Sequence, residues 1–195
     1  EDIQYGTGAI NMSNPLAPQH TKALLLDLYE PDGEVGTGLK PGFVMVHGGA
    51  WTSGNRKDDT FVDPAEPGDS STNTAVYAAE FAKRGYVCVS VEYRLTTDDP
   101  PGTGDFFGTP PSIAQLGFRA FEASIQDVAK AFQWMVDNAA SLGVDTTRIA
   151  IGGYSAGAID SHFICYGPPQ LPAAAIWSNS GALVCDAGVP SFHGE

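Results

Sequence analysis

The segment GYSAG, Gly153 to Gly157, sets a serine between two glycines, each two positions away. It follows the apolar run Arg148 to Gly153 and leads into small, helix-compatible residues, so Ser155 falls where a strand turns into a helix. A serine lifted above a sheet on such a turn adopts a sparsely allowed backbone conformation. Strand and helix then pass so closely that only small residues fit two before and two after it. That composition suits a nucleophile for acyl transfer. Alone, it also suits a plain turn with Ser155 as the helix N-cap. A second stretch separates the two readings. VMVHGGAW, Val44 to Trp51, ends a buried strand in two glycines, where the backbone can turn and aim N–H groups above the sheet. Acyl transfer passes through a tetrahedral oxyanion, and donors fixed where that charge develops are each worth roughly 3 kcal/mol. The expected donors are the amides of Gly49, Ala50 and Ala156. Trp51, Tyr154, Phe106 and Phe107 are candidates for the substrate pocket. His47 precedes the serine and is expected to brace the loop by hydrogen bonding.

The elements that must position these residues follow from the pattern. Short apolar runs alternate with amphipathic stretches, which predicts an α/β fold: a mostly parallel sheet with helices on both faces. Strands are expected at Ala23–Glu30, Gly42–His47, Tyr86–Tyr93, Arg148–Gly153, Ala173–Ser178 and Val189–His193. The middle ones are apolar throughout, as strands buried on both faces are. Helices are expected at Asn73–Gly85, with Gly85 as the stop, at Phe121–Leu142, ended by Gly143, and from the Ser155 turn onward. In the second of these, Ile125, Val128, Phe132, Met135, Val136 and Ala139 recur at three- and four-residue steps and form one apolar stripe. Residues 96–120 form a long connection that carries Phe106 and Phe107 between glycines and prolines, a possible lid or pocket wall.

One domain suits the 195 residues. With 10 lysines and arginines against 23 acids, the formal charge is -13. That charge opposes attraction to phosphate backbones and anionic membranes, which argues against a nucleic-acid role. No apolar run reaches transmembrane length. A chain starting at Glu1 fits a mature exported protein, secreted or periplasmic, and fits a trimmed chain as well. The three cysteines match no zinc pattern, and nothing in the motifs calls for a metal or a cofactor. Cys88 reads as a buried core residue. Cys165 and Cys185 can pair if the fold brings them together, or Cys185 can pair outside this chain.

HGGAW, VSVEYRL, GVDTTRIAIGGYSAGA and IWSNSGAL occur here in the order found in α/β-hydrolase carboxylesterases. From about Leu25 onward the chain resembles their branches with an HGG-type oxyanion loop, including hormone-sensitive-lipase-like and type-B esterases. The resemblance implies a three-layer α/β-hydrolase fold and a serine hydrolase that cleaves carboxylic esters through an acyl-enzyme. It implies a triad in the order serine, acid, histidine. It also implies that Arg94 and Asp127 brace the site structurally, a solvated charge being the alternative. The chain departs from the pattern at its end. VPSFHGE resembles the lead-in to the family's acid, so the acid and histidine are expected past Glu195, with the last strand and helix also lacking. The competing pair is Asp186 as acid and His193 as base. Asp160 and His162 are expected to be ordinary helix residues. A peptidase or amidase of the same fold, and a non-catalytic binding member, are the rival functions.

Overall fold

The computed structural model describes residues 2–13, 19–33, 38–57, 74–102, 112–167 and 171–179. Among these residues the strands are β1 (Ile3–Ile10), β2 (His20–Tyr29), β3 (Lys40–Val46), β4 (Val87–Val91), β5 (Val144–Tyr154) and β6 (Ala175–Asn179). They form one sheet in the order β1-β2-β4-β3-β5-β6. β4, β3, β5 and β6 run parallel, while β1 and β2 form an antiparallel edge.

The apolar runs are strands because both of their faces are covered. Val44, Val46, Val89 and Val91 pack with Val128, Phe132 and Met135 of α2 (Ile113–Asp137). Phe43, Met45 and Cys88 point the other way, toward Ala78 and Phe81 of α1 (Thr74–Ala82). Alternate residues of a strand face opposite sides, so β3 and β4 each feed two cores. Each fully buried valine or methionine on these seams stabilises the fold by roughly 2 kcal/mol. After α2, the short helix α3 (Ala139–Leu142) leads into β5, and α4 (Ala156–Tyr166) follows it.

β1 and α2 differ from expectation. β1 was not foreseen: its residues IQYGTGAI carry two glycines and little apolar alternation, and pairing with β2 supplies what propensity does not. α2 begins at Ile113, eight residues before the expected Phe121, so part of the connection 96–120 is helical. Ser112 and Gln115 form its capping box: the Gln115 amide donates to Ser112 Oγ at 3.3 Å and the Ser112 amide donates to Gln115 Oε1 at 2.7 Å. The same helix, expected to run unbroken to Leu142, breaks at Asn138, whose side chain donates to the Trp134 carbonyl at 2.7 Å. The strand expected at Val189–His193 lies outside the described residues.

Arg94, just past β4, meets Asp127 of α2 in a buried two-pronged ion pair, with Nε at 2.7 Å from Oδ2 and Nη2 at 2.8 Å from Oδ1. Its Nη1 reaches back to the Ala9 carbonyl of β1 at 3.1 Å. The guanidinium passes where a Cβ on Gly8 would sit, which is why β1 carries glycine there. One cation thus ties β1, β4 and α2 together beneath the carboxyl ends of the central strands.

Candidate active site

In the parallel pairing of β3 with β5, Val46 lies opposite Gly153, so the two strands end level with each other. The loop after β3 and the turn after β5 therefore emerge side by side at the carboxyl edge of the sheet, where open α/β sheets form their binding crevices. The contact is backbone on backbone. A Cβ on Gly153 or Gly157 would collide with the Val46 carbonyl oxygen, and one on Gly157 would also lie 2.6 Å from the His47 carbonyl oxygen. Glycine is required at both positions for this approach.

Ser155 stands between Tyr154 and the first turn of α4 with φ 49 and ψ -115. Such a conformation costs a non-glycine residue of order 1–3 kcal/mol and persists only when its surroundings impose it. Its side chain does not cap the helix. The plain N-cap reading of this turn therefore fails, and Ser155 itself is half-buried. Ala156, the next residue, is buried.

The loop after β3 holds three consecutive residues at positive φ: Gly49 at 110, Ala50 at 50 and Trp51 at 58. The Gly49 carbonyl accepts from the amides of Thr52 and Ser53 at 2.9 and 3.1 Å. In a trans peptide the following N–H points opposite to that carbonyl, so the Ala50 amide is aimed away from the 52–53 turn. A Cβ on Gly48 would lie 3.3 Å from Ser155 Cβ and 2.9 Å from the Tyr154 carbonyl oxygen, which sets this loop directly against the serine turn.

His47 braces the loop, as its position implied. Its Nδ1 lies 2.7 Å from the Gly48 carbonyl oxygen, and its ring stacks on Tyr93 at 4.1 Å. The Tyr93 hydroxyl donates to the His47 carbonyl at 3.0 Å. Burial pushes the Tyr93 phenol well above its ordinary range, so it remains a donor.

Asp160 departs from its expected role as an ordinary helix residue. It is fully buried, and its carboxyl accepts from Trp51 Nε1 at 3.0 Å to Oδ1 and 3.3 Å to Oδ2. Loss of hydration pushes this carboxyl up to about 8; hydrogen bonding with Trp51 and Ser124 opposes the rise, and the charge of Asp127 adds to it. A signal was present in the sequence: Ala156, Asp160 and Ile164 recur at four-residue steps on one buried face of α4.

Residues 26–102 and 115–166 match the BD-FAE family. The chain belongs to the BD-FAE family. The matched stretches contain all of the geometry just described, and the break between them, 103–114, falls within the stretch 96–120. Among relatives, the chain is 30% identical over 161 residues to the AB hydrolase superfamily protein C1039.03 of Schizosaccharomyces pombe, covering 79% of this chain and 37% of that protein. It is 29% identical over 157 residues to the carboxylesterase NlhH of Mycobacterium tuberculosis, covering 78% and 38%. The chain thus spans less than two fifths of the length of these relatives. In three dimensions it is similar to the apo form of Thermogutta terrifontis esterase 2, with TM-score 0.62 at 19% identity over 99% of this chain and 59% of that one. That likeness establishes the α/β-hydrolase fold for this BD-FAE chain.

The structure sets Gly48, the residue before Gly49 and Ala50, against Ser155 and Tyr154. Tyr154 is half-buried beside Gly48. Trp51, expected at the pocket, is half-buried and held from below by Asp160 and edge-on by Phe121, with ring centroids 5.2 Å apart. His162 hydrogen bonds to the Ala158 carbonyl within its own helix, as an ordinary helix residue would. Phe106, Phe107, Asp186, His193 and Cys185 lie outside the described residues. Among the described residues no cluster of side chains could hold a metal ion, and no helix is long and apolar enough to cross a membrane.

Proposed function

We propose that the protein is a serine hydrolase that cleaves carboxylic esters through an acyl-enzyme on Ser155. The observation that carries this reading is the strained Ser155 backbone beside a loop with three residues at positive φ. A turn that only connected a strand to a helix would have no use for either strain. Relatives named as a carboxylesterase, as lipases of Geotrichum candidum and as a chlorogenic acid esterase of Aspergillus niger support the ester class.

In the proposed reaction Ser155 Oγ attacks the ester carbonyl and gives its proton to a histidine that an acid orients. The carbonyl oxygen, now an oxyanion, accepts from the amides of Gly49, Ala50 and Ala156. These donors are fixed before the charge forms, so they stabilise it without reorganisation, by roughly 3 kcal/mol each. The histidine returns the proton to the departing alcohol, and water then releases the acid from Ser155 by the same steps in reverse. The order serine, acid, histidine puts the last two on the chain after α4, outside the described residues. The formal charge of -13 disfavours encounter with anions and so favours neutral esters. The connection holding Phe106 and Phe107, where the family match breaks, serves as pocket wall or lid.

Parallel kinetics on a nitrophenyl ester and the matching anilide test the reading in the full-length protein. Turnover of the ester, lost in Ser155→Ala, is expected. Comparable turnover of the anilide would move the protein to the peptidases and amidases of the same fold.

A further inference from the structure

Two features of the oxyanion loop need a cause. Ala50 and Trp51 hold positive φ values of 50 and 58 without being glycine, each at a cost of order 1–2 kcal/mol. Something must over-determine that backbone. The Trp51 side chain is what enters the protein from this loop, and it ends on a carboxyl group 109 positions away in sequence. Its main chain is tied as well, since the Thr96 amide donates to the Trp51 carbonyl at 2.8 Å.

Resting on the hydrolase reading above, we propose that Asp160 is a positioning residue for the oxyanion hole: by gripping the Trp51 indole it locks the left-handed run Gly49–Trp51 and so fixes the amides beside Ser155.

The surroundings of Asp160 say in which form it grips. From the loop it faces Trp51, from α2 Ser124 and Asp127, and from the end of β4 Tyr93. Asp127 is the charged group in this set, and Arg94 already engages both its oxygens. The Ser124 hydroxyl donates to the Phe121 carbonyl at 2.8 Å. A protonated Asp160 completes a chain of donors that leaves no group unserved: indole N–H to carboxyl oxygen, carboxyl O–H to Ser124 Oγ, Ser124 O–H to Phe121. Ionised, the carboxyl would be a buried charge facing a second carboxylate, and the value of about 8 agrees with the neutral form at pH 7. Asp160 touches no substrate in this account and acts through Trp51 alone.

The test is steady-state hydrolysis of a short-chain nitrophenyl ester by the full-length protein at pH 7. Asp160→Ala and Trp51→Phe should each lower kcat about tenfold while KM stays within about twofold, because a misplaced donor is felt mainly in the transition state. The double variant should be no slower than either single one, since both cut the same link. Asp160→Asn keeps the acceptor for the indole and a donor for Ser124, so it should recover most of the loss. Additive losses in the double variant, an unchanged kcat in a folded Asp160→Ala protein, or a loss in Asp160→Asn as large as in Asp160→Ala would overturn the proposal. If Asp160→Ala does not fold, Trp51→Phe and Asp160→Asn decide. The indole N–H resonance of Trp51 gives a readout free of activity. An upfield move in Asp160→Ala supports the grip, and an unmoved signal refutes it. A native protein with no turnover of any ester would instead overturn the hydrolase reading, leaving the grip to be judged on that resonance.

Discussion

Replacing Asp160 by asparagine should stabilise the protein, by an amount that grows with pH. Asp160 is fully buried, and its carboxyl is pushed from the ordinary 3.8 up to about 8, chiefly by loss of hydration. A raised folded-state value means that the stability due to this group is fully present below about pH 4 and is lost as pH rises through about 8. Between those limits the unfolded chain has released a proton that the folded one still holds, so each pH unit costs the native protein about 1.4 kcal/mol. Across the window the ceiling is about 6 kcal/mol, which relaxation and water entry around a buried charge can only reduce. Asparagine keeps the hydrogen bonds and has no proton to lose. Urea unfolding of the native protein and Asp160→Asn in parallel, at pH values from 4 to 9, isolates this term because all other titrations cancel in the difference. The gap should widen in favour of asparagine from pH 4 to about 8 and then level off. A gap that stays constant over that range, or that narrows as pH rises, would refute the reasoning.

Gly157→Ala would set a methyl group against the Val46 carbonyl and 2.6 Å from that of His47. Prying α4 from β3 should destabilise by about 3 kcal/mol and abolish ester turnover, as urea unfolding and kinetics would record. Asp127→Asn leaves the buried Arg94 guanidinium without its counter-charge. That change should cost about 3 kcal/mol, visible as a lower unfolding midpoint at unchanged m-value.

The parts of the site legible in the sequence were those in which a local demand dictates residue type. Gly153 and Gly157 are glycine because a carbonyl lies where a side chain would start, and Gly49 because its φ is 110. β3, β4 and β5 were legible because strands buried on both faces read as unbroken apolar runs. β1 was not, since a glycine-bearing edge strand is stabilised by pairing with β2 and by Arg94 passing beneath Gly8, both long-range facts. The first turns of α2 were missed because Gly117 and the prolines before it read as loop, although the Ser112 and Gln115 capping box was there to be seen. The role of Asp160 depends on Trp51 arriving from another element. An acid on a buried helix face announces that some partner exists, and only the fold says which.

The central claim is that Ser155 is the nucleophile. A fluorophosphonate probe reacts with a serine hydroxyl that a base activates beside an oxyanion hole. Applied to the full-length protein and followed by peptide mapping, it should label Ser155, and Ser155→Ala should abolish labelling while leaving the fold intact. A label on another residue, or one that survives Ser155→Ala, would contradict the assignment.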